Sequence, residues 1–176
     1  MTTTLVIQES SADLKWLTHN HYSLQVAKSV SYPGDQPQFN VVYRSHKLAP
    51  HMTVSWTPQY GLNWTTQMPA RGAQVVNSGN WQPCDLGQSY NLTSDGEWIF
   101  VSPDQLAPQG FGQYQPREDV EMWYEVGMRT ETMILSQDTA IENFDMTGQA
   151  LQYFWYSTNS GNWQNSPSPF PFSSSK

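Results

Sequence analysis

The stretch Val120-Glu121-Met122-Trp123-Tyr124-Glu125-Val126-Gly127-Met128 sets Val120, Met122, Tyr124, Val126 and Met128 on one side of an extended chain, with Glu121, Trp123, Glu125 and Gly127 on the other. A period of two marks a half-buried strand, whereas an amphipathic helix repeats its apolar positions every three or four residues. Working outward, Phe39, Val41 and Tyr43 alternate over 39–43, and Met52, Val54 and Trp56 alternate with Thr53 and Ser55 over 52–56. Further strands are expected at 3–8, 22–30, 73–77, 88–92, 97–102, 130–136 and 150–157. The turn formers Pro33-Gly34-Asp35, Tyr60-Gly61, Ser94-Asp95-Gly96 and Asn159-Ser160-Gly161-Asn162 separate them. One short helix is expected near 11–17, where Ser10 or Ser11 can cap it. The pattern therefore reads as an all-β fold: an antiparallel β-sandwich or β-barrel of about eight to ten strands with at most one short helix.

The 176 residues suit one domain, taken as 1–165. Residues 166–176 form a Pro/Ser-rich C-terminal tail, partly docked or disordered, in which Phe170 and Phe172 favour docking at its start. Residues 103–117 carry three prolines and four glutamines and read as a long irregular loop.

Composition narrows the function classes. The formal net charge is −7, with only 8 Lys plus Arg. Such a chain cannot neutralise a run of phosphates, so no nucleic-acid partner is expected. Ser, Thr, Asn and Gln together supply 60 residues, and 14% of the chain is aromatic, which favours a folded core and neutral hydrogen-bonding chemistry over disorder. No apolar run approaches the roughly 18 residues of a membrane-spanning helix, so no transmembrane segment is expected. The N-terminus lacks a basic region before its short apolar run, and Cys84 is the single cysteine; together they point to a cytoplasmic protein, with non-classical secretion left open.

The recognisable catalytic motifs are missing: no Gly-x-Ser-x-Gly, no His-Glu-x-x-His, no phosphate-cradling loop. Neither a cofactor nor a metal is expected. His19 and His21 would share a face if they lay on a strand, but a metal needs further ligands. Glu121 and Glu125 would sit on one polar face about 13 Å apart, too far for a direct acid/base pair, and read as a solvated outer face. Cys84 reads as an inert buried thiol. Tyr153-Phe154-Trp155-Tyr156 must either lie between two layers or turn half its rings toward a ligand.

One feature points to a site. The hexapeptide Asn-Ser-Gly-Asn-Trp-Gln occurs at 77–82 and again, identically, at 159–164. Each copy reads as a turn that presents a Trp between two amides. An amide both donates and accepts hydrogen bonds, and an indole face is flat and apolar, so the trio suits the hydroxyls and C–H faces of a sugar ring. With Tyr60-Gly61-Leu62-Asn63-Trp64, these turns resemble the loops of starch-binding β-sandwich carbohydrate-binding modules. The resemblance covers those three segments and implies glycan contact there.

The expected function is that of a non-catalytic carbohydrate-binding, lectin-like protein, with Asn80, Trp81, Gln82, Asn162, Trp163, Gln164, Asn63 and Trp64 as ligand-binding residues. Its partner would be a glycan or another neutral polar or aromatic small ligand, and homo-oligomerisation is left open. Two alternatives stand beside it. One is a small β-barrel enzyme acting on an apolar small molecule by acid/base chemistry through Glu121, Glu125 or a histidine. The other is a membrane-active or self-assembling β protein anchored by aromatic loops.

Overall fold

The computed structural model describes residues 2–33, 36–39, 42–57, 59–66, 74–101, 112–125 and 139–169. Among them the chain is all-β apart from one helix. In order come β1 (Thr3–Gln8), α1 (Ser11–His19), β2 (Ser23–Ser31), β3 (Val42–His46), β4 (His51–Trp56), β5 (Tyr60–Leu62), β6 (Gln82–Cys84), β7 (Ser89–Leu92), β8 (Trp98–Val101), β9 (Gly112–Glu125), β10 (Glu142–Asp145), β11 (Leu151–Ser157) and β12 (Asn162–Ser166). That is twelve strands, more than the pattern suggested.

Two sheets lie face to face. The first has the order β12-β11-β1-β4 and the second β3-β2-β9-β7-β8, with β10 also on β9; β5 and β6 make a separate two-stranded ribbon. The inward positions of both sheets share one core. Leu5, Ile7, Met52, Val54 and Phe154 meet Leu24, Val26, Val120, Met122 and Tyr124, and Leu17 of α1 joins them. This is a sandwich-like arrangement. β4 follows the expected alternation throughout, with Met52, Val54 and Trp56 buried and His51, Thr53 and Ser55 exposed. In the aromatic run, Phe154 and Tyr156 enter the core while Tyr153 and Trp155 stay half-buried on the opposite face.

Among the described residues the strands pair antiparallel with one exception. β1 runs parallel to β11, Thr4 opposite Leu151 and Ile7 opposite Phe154. A parallel pair needs a long connection between its strands, and most of the chain lies between these two.

Of the irregular loop expected at 103–117, residues 112–117 are instead strand, since β9 begins at Gly112 and runs through Pro116, and 103–111 lie outside the described residues. Proline is tolerated there for a readable reason. Val30, opposite Pro116, directs both its N–H and its C=O to Gln38, away from β9. The pair is thus not hydrogen-bonded, and the donor that Pro116 lacks would face the other side of β9. On that side, β7 pairing ends at Tyr114 and β10 pairing starts at Asp119.

The face of β9 expected to be solvated is instead covered. Glu121, Trp123 and Glu125 are all buried, Trp123 completely. Trp123 packs on Ala27 of β2, with Phe39 against the pair; a Trp on a nominally polar face already signals that something covers it. Of the strand expected at 39–43, Val42 and Tyr43 lie in β3; of that expected at 73–77, residues 74–77 form no strand; 40–41, 73, 126–128, 130–136 and 170–176 lie outside the described residues.

Ser10 caps α1 by accepting a hydrogen bond from the Asp13 amide at 3.2 Å. Just before the helix, Glu9 ties the two sheets together. Its Oε1 accepts from the Tyr124 hydroxyl and from the Tyr156 amide, both at 2.9 Å, while its buried Oε2 has no hydrogen-bond partner among the described residues. Burial pushes the Glu9 carboxyl up to about 8, against the pull of those two hydrogen bonds.

Candidate functional site

Trp64 organises the site. It follows the short strand β5, and its own amide donates to Asn63 Oδ1 at 2.8 Å. Its carbonyl accepts from the Ser78 amide at 2.9 Å and the Gly79 amide at 3.4 Å, which draws the first hexapeptide against it. Ser78 Oγ accepts from the Thr66 amide at 3.0 Å and fixes the same junction. The Trp64 indole N–H donates to the Gly96 carbonyl at 3.0 Å, which fastens the β7–β8 turn. That indole lies directly against two glycines. A Cβ on Gly79 would overlap Trp64 Nε1, and one on Gly96 would come within 2.6 Å of Cζ2. Only glycine fits at either place.

The β5–β6 register sets Leu62 opposite Gln82, so Trp81 lies just outside the ribbon, beside Asn63. The six-membered ring of Trp81 lies next to Gly61, and 64% of Trp81 is open to solvent. The β7–β8 turn is closed by the Thr93 amide donating to the Glu97 carbonyl at 2.8 Å and the Gly96 amide donating to the Thr93 carbonyl at 3.0 Å. This places Asp95, Glu97 and Trp98 at the other wall.

The three segments enclose a cleft of about 270 Å³. Trp64, Trp81 and Trp98 line it together with the neutral Ser78, Asn80 and Gln82 and the acidic Asp95 and Glu97. Among the described residues no Lys, Arg or His lines it. Trp98 meets Tyr114 edge-on at 6.0 Å, and its buried indole N–H has no acceptor among the described residues.

Of the expected ligand-binding residues, Trp64, Asn80, Trp81 and Gln82 therefore meet at one cleft, with Asn63 bracing Trp64 from behind. The second hexapeptide does not join them. Trp163 is 7% exposed, stacked on Tyr124 at 5.3 Å and bonded through its indole N–H to the Ala140 carbonyl at 2.8 Å. It offers no free face to a ligand. Its neighbours Asn162 and Gln164 point out from the edge strand β12 on the opposite face. Asp95, Glu97 and Trp98, which also line the cleft, are not among the residues that the hexapeptide turns single out. A signal existed, because Gly96-Glu97-Trp98 repeats the Gly-polar-Trp spacing of Gly79-Asn80-Trp81.

Other groups with distinctive chemistry lie elsewhere. Lys28 Nζ sits 4.1, 4.8 and 5.1 Å from the ring centroids of Tyr43, Trp56 and Tyr60, so that aromatic cage is filled by the protein itself. Burial lowers the Lys28 amine to about 8, the nearby Arg44 charge adding to the effect. His19 closes α1 and His21 occupies a turn at φ 61°, so the two share no strand face. The Cys84 thiol is buried and pushed up to about 11 by that burial, with Asp85 adding to it. Among the described residues no group of three His, Cys, Asp or Glu is placed to hold a metal, and no helix is long and apolar enough to cross a membrane. No protein-family model, no curated protein and no solved structure matches the chain.

Proposed function

We propose that this is a non-catalytic carbohydrate-binding, lectin-like protein, and that the cleft carrying Trp81 is its binding surface. One observation carries the reading: Trp81 is 64% exposed at the rim of a concavity that also holds Asn80, Gln82 and two further indoles. Large aromatic side chains normally hide most of their surface, and an exposed one beside convergent amides fits stacking on a sugar's C–H face while the amides take the hydroxyls. The enzyme alternative needs an open barrel interior. Here the inward side chains of the two sheets are packed against one another, with Leu5, Ile7, Leu24, Val26, Met52 and Met122 fully buried. A single buried cysteine, Cys84, fits a cytoplasmic location, where thiols stay reduced.

The test is a glycan array read with the natural protein and with Trp81→Ala. The expected result is a set of glycans bound by the first and lost by the second. Binding that survives Trp81→Ala unchanged, or no glycan bound at all, would reject the reading.

A further inference from the structure

We infer that the cleft selects sugars bearing a protonated amine, such as oligomers of 2-amino-2-deoxyhexose, over their N-acetylated and anionic counterparts. This rests on the carbohydrate reading above and adds a charge preference to it. Asp95 and Glu97 sit in the cleft's wall with three indoles, and among the described residues no cation lines it. A carboxylate only accepts hydrogen bonds, so a ligand group beside it must donate. An indole face carries negative electrostatic potential and attracts cations. A uronate, sulfate or phosphate is repelled by both kinds of wall. A neutral hydroxyl satisfies the carboxylates without using the ring potential. An ammonium on a sugar ring uses both at once, while its ring C–H faces still meet Trp81.

Both carboxylates are reached without disturbing the scaffold, because Asp95 and Glu97 are exposed and the turn is held by backbone bonds and by Thr93 Oγ1, which accepts from the Glu97 amide at 3.1 Å. Asp95→Asn, Glu97→Gln and the double variant therefore keep the shape and remove the charge.

The experiment is titration calorimetry at pH 5.5 with four compounds: a glucosamine tetramer, an N-acetylglucosamine tetramer, a galacturonic acid tetramer and tetralysine. The expected order is the glucosamine tetramer bound roughly tenfold more tightly than the N-acetylated one, with no binding of the galacturonate. The double variant should shrink that preference to about twofold or less. Equal binding of both glucosamine tetramers by the natural protein, or a preference that survives in the double variant, would overturn the charge selection alone. Tetralysine bound as tightly as the amino sugar would overturn the sugar class and leave a cation site. No tetramer bound, together with an empty glycan array, would bring down the carbohydrate reading itself. If the double variant melts early, the two single variants carry the same comparison, each expected to lose part of the preference.

Discussion

Trp163 lies flat on Tyr124, with ring centroids 5.3 Å apart and planes 11° from parallel, and the stack joins an edge strand of one sheet to a central strand of the other. The same six residues that deliver this ring to the core deliver Trp81 to solvent. What differs is the partner each strand finds. Asn162–Ser166 pairs with β11 at the sandwich margin, where alternation turns residue 163 inward beside Tyr156. Among the described residues Gln82–Cys84 pairs only with the three residues of β5, and Trp81 lies just outside that ribbon.

Trp163→Ala should therefore cost about 3–5 kcal/mol of stability, the range for emptying a buried aromatic site. Trp81→Ala should cost about 1 kcal/mol or less and act on binding instead. Thermal or denaturant melts of both variants check this, and similar losses from the two would contradict the assignment of one ring to the core and the other to the cleft.

The glycines of the two copies should separate just as cleanly. Gly79→Ala must drive Trp64 out of place, since the new methyl overlaps its indole. A loss of about 1–3 kcal/mol is expected, with the cleft disrupted and binding abolished. Gly161 has open space around its Cβ position but sits at φ +68°. Gly161→Ala should cost only about 1 kcal/mol, from backbone strain, and leave binding intact. Melting temperature and glycan affinity, measured together on both variants, distinguish displacement of a ring from strain in a turn.

Strand identity was legible wherever one face is buried. The alternation of Met52, Val54 and Trp56 is a direct print of the core, and the helix was legible from Ser10 and the residues it caps. The centre of the second sheet was not. Once both faces of β9 are covered, Glu121 and Glu125 lose the meaning that outward charges carry on an ordinary strand. Half of the site was readable as Asn-Trp-Gln turns, because the hydrogen-bonding groups and the ring are adjacent in sequence. The other half depends on the contact of Trp64 with Gly79 and Gly96, which lie 15 and 32 positions away. No local pattern could supply that pairing. Nor could any sequence rule tell the two hexapeptides apart, since their surroundings alone decide which Trp is buried.

Swapping the acids of the β7–β8 turn should leave the fold untouched. Asp95 and Glu97 are exposed, and exposed substitutions away from caps and cores stay within about 0.5 kcal/mol. Melts of Asp95→Asn and Glu97→Gln that coincide with the natural protein are the expected outcome. A marked loss would mean that these carboxylates hold the turn, and that their role is structural.

The last prediction concerns Glu9, whose carboxyl is held near pH 8 by burial between the two sheets. In the unfolded chain the same group would titrate near 4.5. Between these values the native state keeps a proton that the unfolded state has released. Stability must then fall as pH rises through that window, and it flattens above it, the reverse of the usual carboxylate behaviour. The total should be on the order of a few kcal/mol. Burial also raises Asp119 and Glu142, which act in the same direction, whereas hydrogen bonds from Thr147 lower Asp145 and act oppositely, below its ordinary range. Glu9→Gln isolates the effect of Glu9 from these. The amide keeps an oxygen to accept from Tyr124 and Tyr156, but it has no proton to lose. The difference in stability between variant and natural protein should be small at pH 5 and should grow in favour of the variant up to pH 8 or 9. Urea melts at a series of pH values read it directly, and a difference that stays constant from pH 5 to 9 would show that Glu9 titrates in the fold as it does in water.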